Sequence, residues 1–309
     1  MIKKTLLLGT AQWGWTVPRD QAFRLLDTWL AAGYRQVDAA TNYPINKIPA
    51  DFRASERILR EYIRAHGLHD LKITMKIGSL DNLRTPDIDL APSFIYMIAE
   101  EYLRLFDTNL QTIMLHWDNR EDEQPILDTL KALSRIQQEF KLRPGVSGVK
   151  YPQAYARANR ETGLVFDIQI KHNILHSDLQ HYIPLTGAEA GRRHRLFVYG
   201  INAGGLKLEG PYPAGSTYLA RGGNPGKDFT VIGKIVQMLP EWNRVPTRPP
   251  ISVMNEIGLV FAGLQPETDG IILGVSSAGQ LQESLDFWKG LEVFDYSDVF
   301  QSITKLQGI

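Results

Sequence analysis

The sequence predicts a (β/α)8 barrel, read as one domain over residues 1–309, and three observations carry that expectation. Short apolar runs alternate eight times with longer amphipathic runs, a pattern that demands parallel strands joined by crossover helices. The first apolar run exits through Leu8-Gly9-Thr10-Ala11-Gln12-Trp13-Gly14-Trp15, which lacks the Gly-x-Gly-x-x-Gly spacing usual after the first strand of an open doubly wound sheet. Asp38, Tyr43, Lys76 and His116 each fall at the end of such a run or just beyond it. In a barrel those ends converge on one mouth.

The elements follow in order. Leu6–Gln12 reads as a strand. Asp20–Ala32 is a helix with Ala22, Leu26, Trp29 and Leu30 on one face, stopped by Gly33. Tyr34–Ala40 is a strand, and Ser55–Ala65 a helix facing inward through Ile58, Leu59, Tyr62 and Ile63. Lys72–Gly78 is a strand. Pro92–Leu105 is a helix, with Ile95, Ile98, Tyr102 and Leu105 suitably spaced and Pro92 suited to a first turn. Gln111–Trp117 is a strand and Gln124–Phe140 a helix. Pro144–Lys150 makes a weak strand before a helix over Pro152–Thr162, and Leu164–Ile170 a further strand. Lys171–Arg195 has no single period, and a helix is expected near Glu189. Arg195–Gly200 is a strand, Ile251–Gly263 a helix and Gly270–Gly274 a strand. Ala278–Trp288 closes the series as a helix aligned through Leu281, Leu285 and Trp288.

Two segments break the alternation. Gly204–Gly226 is rich in Gly and Pro and follows the seventh strand, so a long mouth loop is expected there. Such loops are usually lids or binding loops, the plain alternative being a mobile insertion. Pro240–Pro250 reads as a Pro-rich connector.

Composition narrows the chemistry. Apolar residues make up 43% and charged residues 22%, as in soluble globular proteins. Lys plus Arg and Asp plus Glu both number 34, so no net charge argues for nucleic acid or an anionic membrane. The absence of Cys excludes disulfides, thiol nucleophiles and Cys-ligated zinc. The apolar run after Lys3 and Lys4 stops at Gly9-Thr10, short of a secretory core. A soluble cytoplasmic protein is the expectation.

Taken singly, the four mouth residues are weak signals. An Asp often caps a turn, a loop Tyr is often half-buried, and a strand-end His is often structural. Lys76 is sharper, because a lysine inside an apolar strand needs a partner, and Asp38 is the natural one. Together they form a proton-handling group. A carbonyl that receives hydride becomes an alkoxide and needs a proton. A Tyr hydroxyl can donate one, and a nearby ammonium lowers its pKa from about 10. Asp38 would hold Lys76, and His116, as the neutral ring, would orient the carbonyl oxygen.

With those residues in place, the chain resembles the aldo-keto reductases over nearly its whole length, from "LLLGTAQWG" through "GYRQVDAATNY", "TMKIG" and "MLHWDN" to "GIILGVSSAGQLQESL". The family's Asp, Tyr, Lys and His map onto Asp38, Tyr43, Lys76 and His116. The resemblance implies a (β/α)8 barrel, an extended NADPH and reduction of an aldehyde or ketone. Ser147 and Gln169 match residues that hold the nicotinamide carboxamide, although the family's Asn is Gly148 here. Tyr199 matches the aromatic that stacks on the nicotinamide, with barrel packing as the plain alternative. The Ser-Pro-Leu that usually follows it is Gly200-Ile201-Asn202. The helix opening at Ser276 and Ser277 suits a phosphate. Gly274 and Gln280 stand where many members carry a Lys and an Arg for the 2′-phosphate. A branch that includes the potassium-channel β subunits also uses Gly and Gln and binds NADP. Glu283 matches an adenine contact, and the neighbouring Asn is Ser284. NADPH is therefore favoured, and NADH stays open.

Trp13, Trp15 and Trp117 are candidates for an aromatic substrate pocket, with rim packing as the alternative. A cofactor-sensing regulatory subunit with little turnover is the competing function, and a barrel lyase or isomerase without nicotinamide a third. His172 and His176 have helical metal-ligand spacing, but no third ligand accompanies them. Gly191–Arg195 precedes a strand, which places it on the face opposite the mouth, as a basic cluster.

Overall fold

The computed structural model of the chain describes residues 4–83, 87–187, 193–214 and 216–307. Strands and helices alternate from the start: β1 (Thr5–Gly9), α1 (Arg19–Ala31), β2 (Gln36–Ala40), α2 (Ala54–His66), β3 (Lys72–Ile77) and α3 (Pro92–Phe106). Next come β4 (Leu110–His116), α4 (Glu123–Phe140), β5 (Arg143–Ser147), α5 (Pro152–Thr162) and β6 (Asp167–Asn173). A two-residue β7 (His176–Ser177) and α6 (Leu179–Thr186) precede β8 (Arg195–Tyr199). The chain ends with α7 (Thr217–Ala220), α8 (Pro225–Trp242), α9 (Met254–Leu264), β9 (Gly270–Leu273), α10 (Ala278–Leu291) and α11 (Ser297–Gln307).

Among the described residues, eight parallel strands close a ring in the order β1–β2–β3–β4–β5–β6–β8–β9 and back to β1. The sequence expectation of a (β/α)8 barrel is met. β7 stands outside the ring as a short hairpin antiparallel to β6.

Alternation along each strand gives the ring two different faces. The outward residues, such as Leu6, Leu8, Val37, Ile73, Ile113 and Ile168, are buried in one continuous core under the helices. The inward residues are mixed. Leu7, Phe197 and Ile272 form a small separate apolar cluster with Tyr199 packed on it. Below it, Arg195 pairs with Asp167, which also accepts from Thr112 at 3.4 Å. The ring has room for Met114 and Phe197 only because glycines stand beside them. A Cβ on Gly145 would lie 2.7 Å from Met114 Cε, and one on Gly270 would lie 2.6 Å from Phe197 Cδ1 and 2.5 Å from the Thr5 carbonyl oxygen.

The structure differs from the sequence reading in three places, and a fourth expectation cannot be compared. The expected helix near Glu189 falls outside the described residues, and the helix found in that stretch is α6. Gly204–Gly226 is not loop throughout, since α7 lies inside it and α8 opens at Pro225. Pro240 belongs to α8 rather than to a connector. It sits in the last turns, where burial of Ile232, Ile235 and Trp242 on one face outweighs one lost backbone donor. α11 is absent from the sequence reading, although Val299, Phe300, Ile303 and Leu306 have helical spacing, and it is held by buried Val299 and Ile303 and by Phe300 against Phe261. Among the described residues, no helix is long and apolar enough to cross a membrane.

Gly270→Ala should destabilise the fold by about 1–3 kcal/mol, because Thr5 backbone cannot yield to the new methyl group. Urea unfolding measures this. Gly274→Ala, whose Cβ would meet nothing within 4 Å, is the control expected to leave the midpoint nearly unchanged.

Candidate active site

Register assembles the site. Ala40 pairs with Lys76, Lys76 with Met114, His116 with Ser147 and Ser147 with Gln169. Paired residues share a face, so Asp38, Lys76, His116, Ser147 and Gln169 all point into the ring at its C-terminal end. Tyr43 reaches the same place from the turn after β2, its backbone N–H donating to the Ala40 carbonyl at 3.2 Å.

The four predicted residues are therefore together. Lys76 and Asp38 form an ion pair, and each is only 2% exposed. The other Asp38 oxygen accepts from Gln169 Nε2 at 2.6 Å. The Lys76 ammonium lies 5.0 Å from the centre of the Tyr43 ring. Tyr43 and His116 meet edge to face at 6.2 Å, and His116 lies 4.6 Å from the Trp117 ring.

Burial and charge compete at each group. Burial alone would lower the Lys76 pKa, but the Asp38 carboxylate outweighs it, and the ammonium is held above its ordinary value. Burial raises the Tyr43 pKa. Lys76 pulls it down as the sequence suggested, yet the net direction is upward. The expectation of a lowered phenol pKa is thus reversed, because desolvation of a phenolate costs more than one ammonium returns. Burial, reinforced by Lys76, drives the His116 pKa well below 6.5, so its ring is neutral. Its Nδ1 is buried with no hydrogen-bond partner among the described residues.

Polar bracing behind the mouth holds the strand ends. The Lys76 carbonyl accepts from Thr41 N–H at 2.9 Å and from the Thr41 hydroxyl at 3.1 Å. That hydroxyl meets the Tyr102 hydroxyl, which donates to buried Glu56 at 2.8 Å. Arg53 grips both Glu56 oxygens, at 2.7 and 3.0 Å. After β4, buried Asp118 is held by Arg120 and by Tyr155 at 2.5 Å, which fixes the turn carrying Trp117.

A cavity of about 1090 Å³ opens over these groups. Its wall runs from Tyr43, Lys76 and His116 past Ser147, Gln169 and Tyr199 to Gly274, Ser276, Gln280 and Glu283. The cofactor positions expected from the sequence line it, except Ser277, which caps α10 behind Ser276. Trp117 lines it too, but Trp13 and Trp15 do not. Trp13 is 0% exposed in the core beneath the first loop, where it bridges to Val17, so it is a packing residue. His172 stacks on Phe261 and bonds Ser177, while His176 bonds Asp178. Of the basic cluster, Arg193 pairs with Asp269 and Arg195 with Asp167, at the opposite end of β8 from Tyr199. Gly191 and Arg192 lie outside the described residues.

The departure at Gly148 has a steric cause. Its φ is +66°, and a Cβ there would lie 2.4 Å from Trp117 Cδ1. The indole occupies the space that an Asn side chain would need. At the far end, Ser277 caps α10 by accepting from Gln280 N–H at 3.2 Å, and Ser276 bonds the Gln280 side chain at 2.8 Å. Asn255 donates to Ser284 at 2.9 Å.

The cavity suits an extended dinucleotide. It joins the proton-handling group to a capped helix N-terminus, the kind of site that takes phosphate. Asn202 Oδ1 is buried in its wall without a partner among the described residues. The open space at Gly274 leaves room for the nucleotide.

Sequence reasoning missed Arg221, Leu206 and Met254, which also line the cavity. Arg221 lies in a Gly-rich run with no periodicity, and the only available signal was a lone cation following Tyr218.

Comparison with known proteins places the chain in context. The family model described as "Aldo/keto reductase family" matches residues 5–299. No match is found among the curated proteins. The fold is similar to aldo-keto reductase AKR11C1 from Bacillus halodurans in its holo form, at 21% identity, TM-score 0.71 and coverage of 97% of this chain and 91% of that one. It is also similar to the glycerol dehydrogenase AKR11B4 from Gluconobacter oxydans, at 16% identity, TM-score 0.73 and coverage of 97% and 90%.

Lys76→Met should cost about 3–5 kcal/mol of stability, since it leaves the Asp38 charge buried without its partner. Denaturant unfolding measures the loss. In the wild type, the contribution of the raised Lys76 pKa is complete below its ordinary value of about 10.5 and is lost as pH climbs through the folded value. Unfolding free energies measured up to pH 11 should fall only at the alkaline end.

Proposed function

The chain belongs to the aldo-keto reductase family, and we propose that it reduces an aldehyde or ketone to the alcohol with NADPH. One observation carries this reading: a phenol, an ammonium, a carboxylate and a neutral imidazole meet at the floor of a dinucleotide-sized cavity.

Ser147 and Gln169 would hold the carboxamide of the cofactor and Tyr199 its ring. Gly274, Ser276, Gln280 and Glu283 would hold the adenosine end. A nicotinamide held there would supply the hydride that the carbonyl carbon accepts. His116, being neutral, can donate a ring N–H to the carbonyl oxygen and set its direction. Tyr43 then gives its phenolic proton to the oxygen as negative charge grows there. Lys76 stabilises the phenolate left behind, an interaction that strengthens toward the transition state. Asp38 keeps Lys76 charged and aimed, and Gln169 holds Asp38 in place by donating to it. The raised Tyr43 pKa serves this direction, because the acid stays loaded at neutral pH.

The 2′-phosphate would rest on Ser276, Ser277 and the first N–H groups of α10, without the Lys and Arg clamp found in many relatives. The preference for NADPH over NADH should accordingly be modest, which titration of both cofactors by tryptophan quenching measures.

Purified protein should oxidise NADPH only when a carbonyl compound is present. Tyr43→Phe should lower kcat by roughly 10²- to 10⁴-fold with NADPH binding retained. Full activity in that variant would overturn the mechanism, and NADPH binding without turnover across a broad carbonyl panel would favour the sensor reading. The reductive rate should be flat through neutral pH and fall only above pH 10, as Tyr43 loses its proton. Alcohol oxidation, which needs the phenolate, should rise over the same alkaline range.

A further inference from the structure

The loop after β8 builds its own small core. Tyr212 and Tyr218 stack at 4.2 Å, and Tyr218, 2% exposed, donates to Asp228. Gly223 sits so close that a Cβ there would lie 2.5 Å from Tyr218 Cζ. The Lys207 N–H donates to the Tyr212 hydroxyl at 2.9 Å. Ser216 caps α7, and Arg221 ends it, with its N–H on the Thr217 carbonyl at 3.0 Å. The segment is therefore shaped by aromatic packing, and it presents Arg221 at a defined place.

That place is the mouth of the cavity. The Arg221 stem passes Gly204, where a Cβ would lie 3.3 Å from Arg221 Cδ. Arg221 is exposed toward the mouth, yet protein surrounds its guanidinium closely enough for desolvation to lower its pKa. Tyr43 and Tyr199, the two phenols at the reacting end, lie within its electrostatic reach and share the cavity wall with it. Among the described residues it has no carboxylate partner. Two other cations line the cavity. Lys76 is paired with Asp38, and Lys207 lies 5.9 Å over the Tyr212 ring. Arg221 alone is left without an anion or an aromatic ring to satisfy it.

A guanidinium that lines the cavity and carries no anion among the described residues is a ready partner for an anionic group, which it can grip with paired N–H donors. We infer that the substrate carries an oxyanion as well as its carbonyl group, and that Arg221 anchors that oxyanion while His116 and Tyr43 hold the carbonyl oxygen. The preferred substrates are then oxo acids or oxo-alkyl phosphates. This inference rests on the reductase reading and adds the substrate class to it.

The test compares a short series of ω-oxo acids and ω-oxoalkyl phosphates with the matching neutral ω-oxo amides, in the wild type, Arg221→Gln and Arg221→Lys. The quantity read is the ratio of kcat/KM for each anionic substrate to that for its amide. A ratio cancels any change in Tyr43 acidity that losing Arg221 brings to both. It should favour the anion by about 10-fold or more in the wild type, largely through KM, collapse toward unity in Arg221→Gln and recover in part in Arg221→Lys. Whichever anion shows the larger ratio identifies carboxylate or phosphate. A ratio near unity in the wild type, or one unchanged in Arg221→Gln, overturns the inference while carbonyl reduction stands. If the ratio is unchanged and NADPH binding weakens in Arg221→Gln, the cation serves the cofactor phosphates, which also overturns it. Failure of every carbonyl compound to support NADPH oxidation overturns the reductase reading itself, and this inference with it.

Discussion

The buried Lys76–Asp38 pair is the constraint on which the rest of the site depends. Neither charge survives at 2% exposure without the other, and each is contributed by a different strand. The pair therefore exists only when β2 and β3 lie in register and the ring holds them there. Gln169, from the far side of the ring, completes the coordination of Asp38 and ties β6 to the same point. Folding and proton handling thus share one set of contacts. The charge that faces the Tyr43 ring is also the charge that must be satisfied for the barrel mouth to close.

The interior of the ring is layered by polarity. Asp167 and Arg195 lie at one end, Leu7, Phe197 and Ile272 in the middle, and the proton-handling group at the other. The apolar middle does more than fill space. It lies on the inner face of the same ring, and at its mouth burial is the leading cause of both pKa shifts, upward at Tyr43 and downward at His116. The glycines at 145 and 270 belong to this arrangement, because they admit Met114 and Phe197 where a methyl group would collide. Behind the mouth, the Thr41–Tyr102–Glu56–Arg53 chain spends buried polar groups on holding the Lys76 carbonyl. Such a chain rigidifies a strand end only because its members satisfy one another.

The far end of the cavity is built on weaker, neutral contacts. Ser276, Ser277 and Gln280 bond one another and cap α10, with no cation in place of Gly274 or Gln280. Charge instead enters the cavity from the loop after β8, through Lys207 and Arg221. The barrel strands place the mouth group, and the loop places two cations on the cavity wall.

The barrel and its mouth group were legible in the chain because they are written in local patterns. Period-two and period-3.6 runs mark strands and helices, and a lysine inside an apolar strand announces a buried pair. What local pattern cannot carry was decided by contacts distant in sequence. Trp13 and Trp117 are the same residue type in similar loops, yet one is sealed in the core and the other lines the cavity. The turn held by Asp118 and the bare Gly148 make that choice. The direction of the Tyr43 pKa depended on the balance between its burial and the Lys76 charge, which no spacing of residues reports. α8 and α11 escaped notice because α8 carries a Pro in its last turns and α11 follows the last of the eight strand–helix units, and both are held by buried apolar residues. Arg221 was invisible for the same reason: a cation in a Gly-rich run acquires meaning only when Tyr212 and Tyr218 fold beneath it and turn it toward Tyr43. Periodicity and residue chemistry thus set the fold and the reacting groups, whereas water exclusion and long-range packing decided which side chains face the cavity and how acidic they are.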